Sequence, residues 1–295
     1  MLSNLYFVKL PCVAIMLLSV LGLAKPAMAD NANIVTTTPV TFMLSQALTV
    51  NTPLLSDYLA PARYGLTRMP NWFKQHGINM AAKAKSVQVA VTLGSVWASD
   101  PLYLAMREHN ISIIEVDAAQ ALRPNGKSVM FQRTEQGVSP YVWLNSANLV
   151  AMTQIVSHDF QQIWPELAPV IAQNEANLLN QIKALRLSQQ AYVKQQQLDA
   201  VVLLSPELED LAAGLQLYVL HRQFKPALAW TDADKIAFAQ ALSEPNVMIL
   251  STQTLTDKHP LRSLVLPQQW WQVDAIDRLG KQGITPEEPL LRWQF

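Results

Sequence analysis

The sequence predicts an α/β protein of two α/β lobes joined by a long rigid helix. Three observations predict it. Over residues 32–144, short runs rich in Val, Ile, Thr and aromatics alternate with helical patterns, as in a parallel or mixed sheet covered by helices. Over 166–198 there is no glycine, and Leu167, Ile171, Leu178, Ile182, Leu185 and Tyr192 recur at three-, four- or seven-residue steps, which is one face of a helix. From Ala200 the strand–helix alternation resumes.

In chain order, strands are expected at 33–40, 53–59, 86–93, 111–116 and 141–144. Helices are expected at 41–48, 70–84 and 100–108, the last two opened by Pro70 and by Asp100-Pro101, which suit a first turn and a cap. A helix from Asn148 through Phe160 is broken by Trp164-Pro165. The linking helix that follows would be about 50 Å long, and its Gln-rich end over 189–197 suits a solvated face. The second lobe then offers a strand at 200–204, a helix at 206–217, a helix at 231–243 capped by Thr231 or Asp232, a strand at 246–250 and a last strand at 272–274. No internal sequence repeat relates the two lobes.

The chain has 295 residues, 22 Lys+Arg against 22 Asp+Glu, and only 15% charged residues, well below the usual share. That balance excludes nucleic-acid binding by bulk charge and polybasic attachment to a membrane surface. Glycine is scarce, at 9, so a Gly-rich phosphate loop is not expected. The first thirty residues resemble a cleaved secretory leader: Lys9 closes a short n-region, 10–24 is apolar, and Ala27-Met28-Ala29 precedes Asp30. The apolar run is shorter than the roughly 20 residues a membrane span needs. The single cysteine, Cys12, lies inside it, so the mature chain from Asp30 carries no thiol and can form neither disulfides nor Cys-type zinc sites. The expected place of the mature protein is the periplasm.

The segment Ser139-Pro140-Tyr141-Val142-Trp143-Leu144-Asn145-Ser146-Ala147-Asn148 resembles the Asp-Pro-His-Val-Trp-Leu-Asp-Pro-x-Asn motif of the zinc/manganese ABC-transporter substrate-binding proteins. Pro165 and Asn174 fall where that family has its Pro and its long-helix Asn. The residue match is concentrated in 139–185, while the order of elements agrees over most of the mature chain. The resemblance implies a solute-binding protein with a ligand cleft between the lobes that docks on an inner-membrane ABC permease, with a signal peptide at 1–29, an N-terminal lobe at 30–165, a linking helix at 166–198 and a C-terminal lobe at 199–295. It implies neither an enzyme, nor a nucleic-acid binder, nor an integral membrane protein once the leader is cleaved.

That family holds one divalent metal with three histidines and a carboxylate, a closed donor set suited to carriage. By resemblance the three imidazole positions fall on Tyr64, Tyr141 and Ser205, and the carboxylate on Asp274 or Asp277, of which Asp274 is the ligand expected to persist. A phenol near pKa 10 must lose a tightly held proton before it binds a metal well. The expectation is therefore a degenerate site with weakened affinity for zinc or manganese, and no other cofactor. Oxygen donors would suit a harder ferric ion or a haem better than zinc.

The five histidines do not rebuild the set. His76 and His109 close helices, His158 lies within one, His221 follows an apolar stretch, His259 neighbours a proline, and no pair has the i, i+4 spacing of a helical clamp. The family's His-rich metal-collecting loop has no counterpart in 119–138, which carries Arg123, Lys127, Arg133 and Glu135 but no His. Arg63 and Arg68 flank Tyr64 and could hold an anionic ligand, or a partner protein could take the place of any small ligand. Trp97 follows a strand's carboxyl end, where α/β ligand sites gather. Trp270 and Trp271 cannot share one face of a strand, so one of them is expected at an interface or cleft edge. No Gly-x-Ser-x-Gly elbow is present for a hydrolase. Glu207, Glu209 and Asp210 suit the first turn of a helix, where they complement its dipole.

Overall fold

The structure is a computed structural model that describes residues 33–76, 80–134 and 137–294. The leader with Cys12, together with Gly77 and Glu135, lies outside the described residues.

The first sheet holds β1 (Ile34–Thr36), β2 (Ser56–Tyr58), β3 (Val89–Thr92) and β4 (Ile114–Asp117) in the order β2-β1-β3-β4, every neighbour parallel. The second holds β7 (Ala200–Leu203), β8 (Tyr218–Arg222), β9 (Val247–Ser251) and β10 (Trp270–Gln272) in the order β10-β9-β7-β8, again parallel throughout. Counted within each lobe the order is the same, second-first-third-fourth. The two lobes are thus a topological repeat that the sequence does not display. In each, the order reverses beside the first strand, where parallel sheets open a crevice at their carboxyl ends.

Side chains alternate between two buried faces. On β7, Val201 and Leu203 join the central core while Ala200 and Val202 join an outer cluster, and on β9 Met248 and Leu250 face in while Val247 and Ile249 face out. β1 does the same, with Ile34 inward and Val35 against Phe73, Met80 and Leu102. The central core is continuous from one sheet to the other through α5 (Ser146–Ile163), α6 (Ala168–Gln195) and α7 (Glu209–Gly214). Ile171, Leu178, Ile182 and Leu185 of α6 are buried in it, which is the stripe the periodicity predicts. Twenty-eight residues make α6 about 42 Å long, shorter than expected because it begins after a 3-10 turn at Pro165–Leu167 and ends before Leu198.

Elsewhere the local chemistry shifts the expected boundaries. β1 stops at Thr36 because Thr38 caps α1 (Pro39–Leu48), its hydroxyl accepting from Thr41 N, with Pro39 in the first turn. The 70–84 helix appears as α2 (Met69–His76) and α3 (Met80–Ala84), while α4 is Leu102–Arg107 and α8 is Asp232–Ser243. Thr231 caps α8 in a reciprocal capping box with Asp234. An antiparallel pair, β5 (Arg133–Thr134) and β6 (Gly137–Val138), stands in the 119–138 segment.

Three expectations are corrected. The 141–144 strand is a 3-10 turn at Val142–Leu144, because Asn145 caps α5 at once and the Asn148 amide donates to Val142 O at 3.1 Å and to Met130 O at 2.7 Å. Strand β8 was not expected, since the helix before it was extended to residue 217, whereas α7 ends at Gly214 and Gln216 turns the chain at φ 59°. The last strand is Trp270–Gln272, and both tryptophans pack against protein: Trp271 meets Tyr192 of α6 in the central core and Trp270 meets the outer cluster. Trp270, on the edge strand of the second sheet, is only half-buried and lines a small cavity with Gln253 and His259, the edge position expected for one of the pair.

Candidate functional site: the seam between the lobes

Two chain segments close the seam. Residues 61–66 come from the loop after β2, and residues 274–280 follow β10. Gly280 N donates to Ala62 O at 2.7 Å, and Leu66 N donates to Asp277 Oδ1 at 3.1 Å. From the motif turn, Tyr141 Oη donates to that same carboxylate oxygen at 3.1 Å, and Trp143 Nε1 donates to Ala275 O at 3.2 Å. Asp277 is the hub of the seam.

The backbone is bent to put it there. Ile276 is fully buried yet has φ 55°, a left-handed conformation that a β-branched residue adopts only at a cost of about 1–3 kcal/mol. Asp274 holds that turn, its Oδ1 accepting from Ile276 N at 2.7 Å. Across the seam, Gly65 leaves the space the carboxylate fills: a Cβ at that position would collide with the Asp277 oxygens.

The expected ligand positions separate. Asp274 does not reach Tyr141; its other oxygen takes Arg292 Nε at 3.0 Å and Nη2 at 2.8 Å, so Asp277 is the acid that meets the motif tyrosine. Ser205 faces its own lobe, its Oγ 3.0 Å from Thr252 Oγ1 and accepting from Thr252 N at 2.9 Å, which joins the carboxyl ends of β7 and β9. Tyr64 is half-buried under Arg63 and Arg68, whose guanidinium carbons stand 5.3 and 6.0 Å from its ring centre. Trp97 is half-buried against the central core.

The electrostatics keep the phenols protonated. Burial pushes the Tyr141 hydroxyl above its ordinary value, and the charges of Asp277 and Glu207 push it further, while Arg278 pulls the other way. Tyr58, at the end of β2, is raised first by burial and then by Asp277. Glu207 is raised by burial, with Asp277 adding. A neutral phenol that donates its proton to Asp277 is a poor ligand for zinc. The histidines lie apart: His76 is stacked on Trp72, His158 meets Arg123, His221 is in β8, and His259 Nε2 lies 3.2 Å from Gln253 Oε1. Among the described residues no group of three or more His, Cys, Asp and Glu side chains is placed to hold a metal ion. Of the helix-start acids, Glu209 pairs with Arg222 at 2.6 Å and Asp210 is buried beside Ser139.

Several residues of the seam were not foreseen: Tyr58, Ile276 and Arg278. A β-branched residue between two acids, in Asp274-Ala275-Ile276-Asp277, gives no sign in sequence of a left-handed turn.

No protein-family model matches the chain, and no curated protein sequence matches it. Solved structures do. A mutant of FpvC from Pseudomonas aeruginosa superposes with a TM-score of 0.67 at 14% identity, covering 88% of this chain and 94% of that one. FpvC structures also include complexes with Ni2+ and with Mn2+. The metal-dependent lipoprotein YcdH from Bacillus subtilis gives 0.67 at 14% identity over 85% and 90% of the two chains. The zinc-bound ZnuA-like domain of AdcA from Streptococcus pneumoniae gives 0.62 at 12% identity over 85% and 90%. The chain has the fold of the metal-binding solute-binding proteins.

Proposed function

We propose that this protein is a periplasmic solute-binding component of an ABC importer, built on the zinc/manganese plan with a remodelled cleft, and not an enzyme. Cleavage after residue 29 would release it, residues 30–165 and 199–295 would form its lobes, and 166–198 would link them. Its partner would be an inner-membrane permease. Three things support the reading: the fold, the leader pattern, and the motif turn that carries Tyr141 to the seam. Among the described residues no helix is long and apolar enough to cross a membrane.

One observation separates it from a zinc carrier. At the seam, Tyr141, which by resemblance takes the place of an imidazole ligand, is spent as a donor to Asp277. Zinc should therefore bind no tighter than about micromolar, near −8 kcal/mol. Competition against a chromophoric chelator with the purified mature protein measures this directly. Retention of zinc at nanomolar chelator would show that nitrogen donors assemble after all, and the reading of a remodelled cleft would fail.

A second reading is favoured by a different observation. Arg63 and Arg68 pack on Tyr64 with no ion-pair partner among the described residues, which suits a relative that has left metals for another small solute or a partner protein. Co-purification with a permease encoded nearby would favour transport, and its failure an interaction role.

A further inference from the structure

We infer that the second lobe carries a binding site, separate from the seam, for a small uncharged aromatic molecule, whose ring lies in a cavity between Trp230, Trp270 and His259. The cavity measures about 130 Å3. An engineered apolar cavity of about 150 Å3 takes up benzene, so this one has room for a single ring and little more. It lies at the carboxyl ends of neighbouring strands: Leu204 follows β7, Gln223 follows β8, Ser251 ends β9, and all three are in its walls. Parallel sheets bind ligands at such ends, beside the strand where the order reverses. Asp277, Tyr141 and Glu207 of the seam are not among its lining residues.

The walls suit a ring. Trp230 is buried in the outer cluster, while Trp270 and His259 are half-buried, so part of the wall meets solvent and gives a way in. Each indole is fixed by its own hydrogen bond, Trp230 Nε1 donating to Lys225 O at 2.9 Å and Trp270 Nε1 to Gln253 O at 3.0 Å. The His259 ring stands edge-on to Trp270, with centroids 5.1 Å apart and planes at 68°. Aromatic walls already held in place can stack on a ring, or meet its edge, without first paying to order a side chain.

The wall offers no charge to a ligand. Among the described residues no carboxylate lines it, and the one cation that does, Lys225, is taken by Asp234 at 3.1 Å. His259 is neutral by geometry: its Nδ1 accepts from Leu261 N at 3.2 Å, which leaves the proton on Nε2, 3.2 Å from Gln253 Oε1. One buried donor is unspent. Ser251 has the outward parity of Val247 and Ile249 on β9 and is 1% exposed. Its Oγ accepts from Gln253 N at 3.1 Å, and among the described residues its proton has no acceptor. A ring bearing one hydroxyl or carbonyl oxygen would satisfy that proton, whereas a charged ligand would lose its hydration with no counter-ion in exchange.

Titration of the purified protein with phenol, benzoate and cyclohexanol, followed by calorimetry and by saturation-transfer NMR of the ligand, tests this. Phenol should bind saturably, and the other two at least about tenfold more weakly, because benzoate carries a charge and cyclohexanol has no aromatic face. Ala227→Leu, in the 3-10 turn that lines the cavity, fills the space and should abolish phenol binding. Trp270→Leu should weaken it at least about tenfold and Ser251→Ala severalfold, whereas Lys235→Gln on α8 should leave it unchanged. Melting temperatures of the free variants show which of them fold. Should Trp270→Leu fail to fold, Ala227→Leu decides, since filling a void keeps or raises stability. No saturable phenol binding, equal affinity for benzoate or cyclohexanol, or unchanged affinity in a folded Ala227→Leu variant would overturn the proposal.

Discussion

Two buried carboxyls show how individual side chains set the protein's response to pH. Asp100 accepts from Leu93 N, just after β3, at 2.8 Å and from Leu102 N, the first residue of α4, at 3.1 Å, yet burial pushes it up to about 6. Asp210, 1% exposed, is likewise raised to about 6 by burial and by Glu209, with the Ser139 hydroxyl offsetting part of the rise. Both folded values exceed the ordinary 3.8, so the folded state binds protons more tightly than the unfolded one. Each group is without penalty below pH 4, and each destabilises the fold increasingly until pH passes 6. Stability should therefore rise as pH falls from 7.5 to 5, and Asp210→Asn should raise stability at pH 7.5 by roughly 1–3 kcal/mol while flattening the profile. Urea titrations of both proteins across that range check it; a parent that loses stability on acidification over this window would contradict the assignment. None of this is visible in the sequence, where Asp210 reads as a helix-start acid, because burial of a side chain depends on what packs over it.

The helices show which features are local and which need the rest of the molecule. The stripe of α6, the capping of α1 by Thr38 and that of α8 by Thr231 are written in short stretches of chain, and periodicity or a hydroxyl before a helix exposes them. The attachment of α6 is not local. Asn174, buried in the stripe, donates through Nδ2 to Leu48 O at 3.0 Å and Val50 O at 2.8 Å, capping the end of α1 from a distant helix. Asn174→Leu would leave those carbonyls without a donor and should cost about 2–4 kcal/mol, read as a lower urea midpoint at unchanged slope. The motif around Trp143 divides similarly. Asn145 and Asn148 shape the turn and tie it to Met130, and Trp143 fills the core, so most of the motif is accounted for by packing, and Tyr141 is the member that reaches the seam.

Across the whole molecule, the continuous central core argues against independent lobes. Residues of both sheets and of α5, α6 and α7 pack in one cluster, so separating the lobes would expose Trp271, Trp143 and the apolar face of α6 together. Unfolding should give a single calorimetric transition whose van't Hoff and calorimetric enthalpies agree; two resolved transitions would show that each lobe holds itself together. The same continuity restricts any hinge motion about α6 to small angles.

The fold class, the two sets of alternating elements and the long helix with its buried face were legible in the amino-acid order, because hydrophobic period and capping chemistry act over a few neighbouring residues. The shared strand order of the two lobes was not, since pairing between strands depends on contacts far apart in the chain and leaves no common residue pattern. The seam was half legible. That residue 141 is a tyrosine is plain in the sequence, but whether Asp274 or Asp277 faces it turned on the left-handed backbone at Ile276 and on the room left by Gly65. Those are consequences of two segments meeting more than two hundred residues apart, and only packing in three dimensions chooses between them.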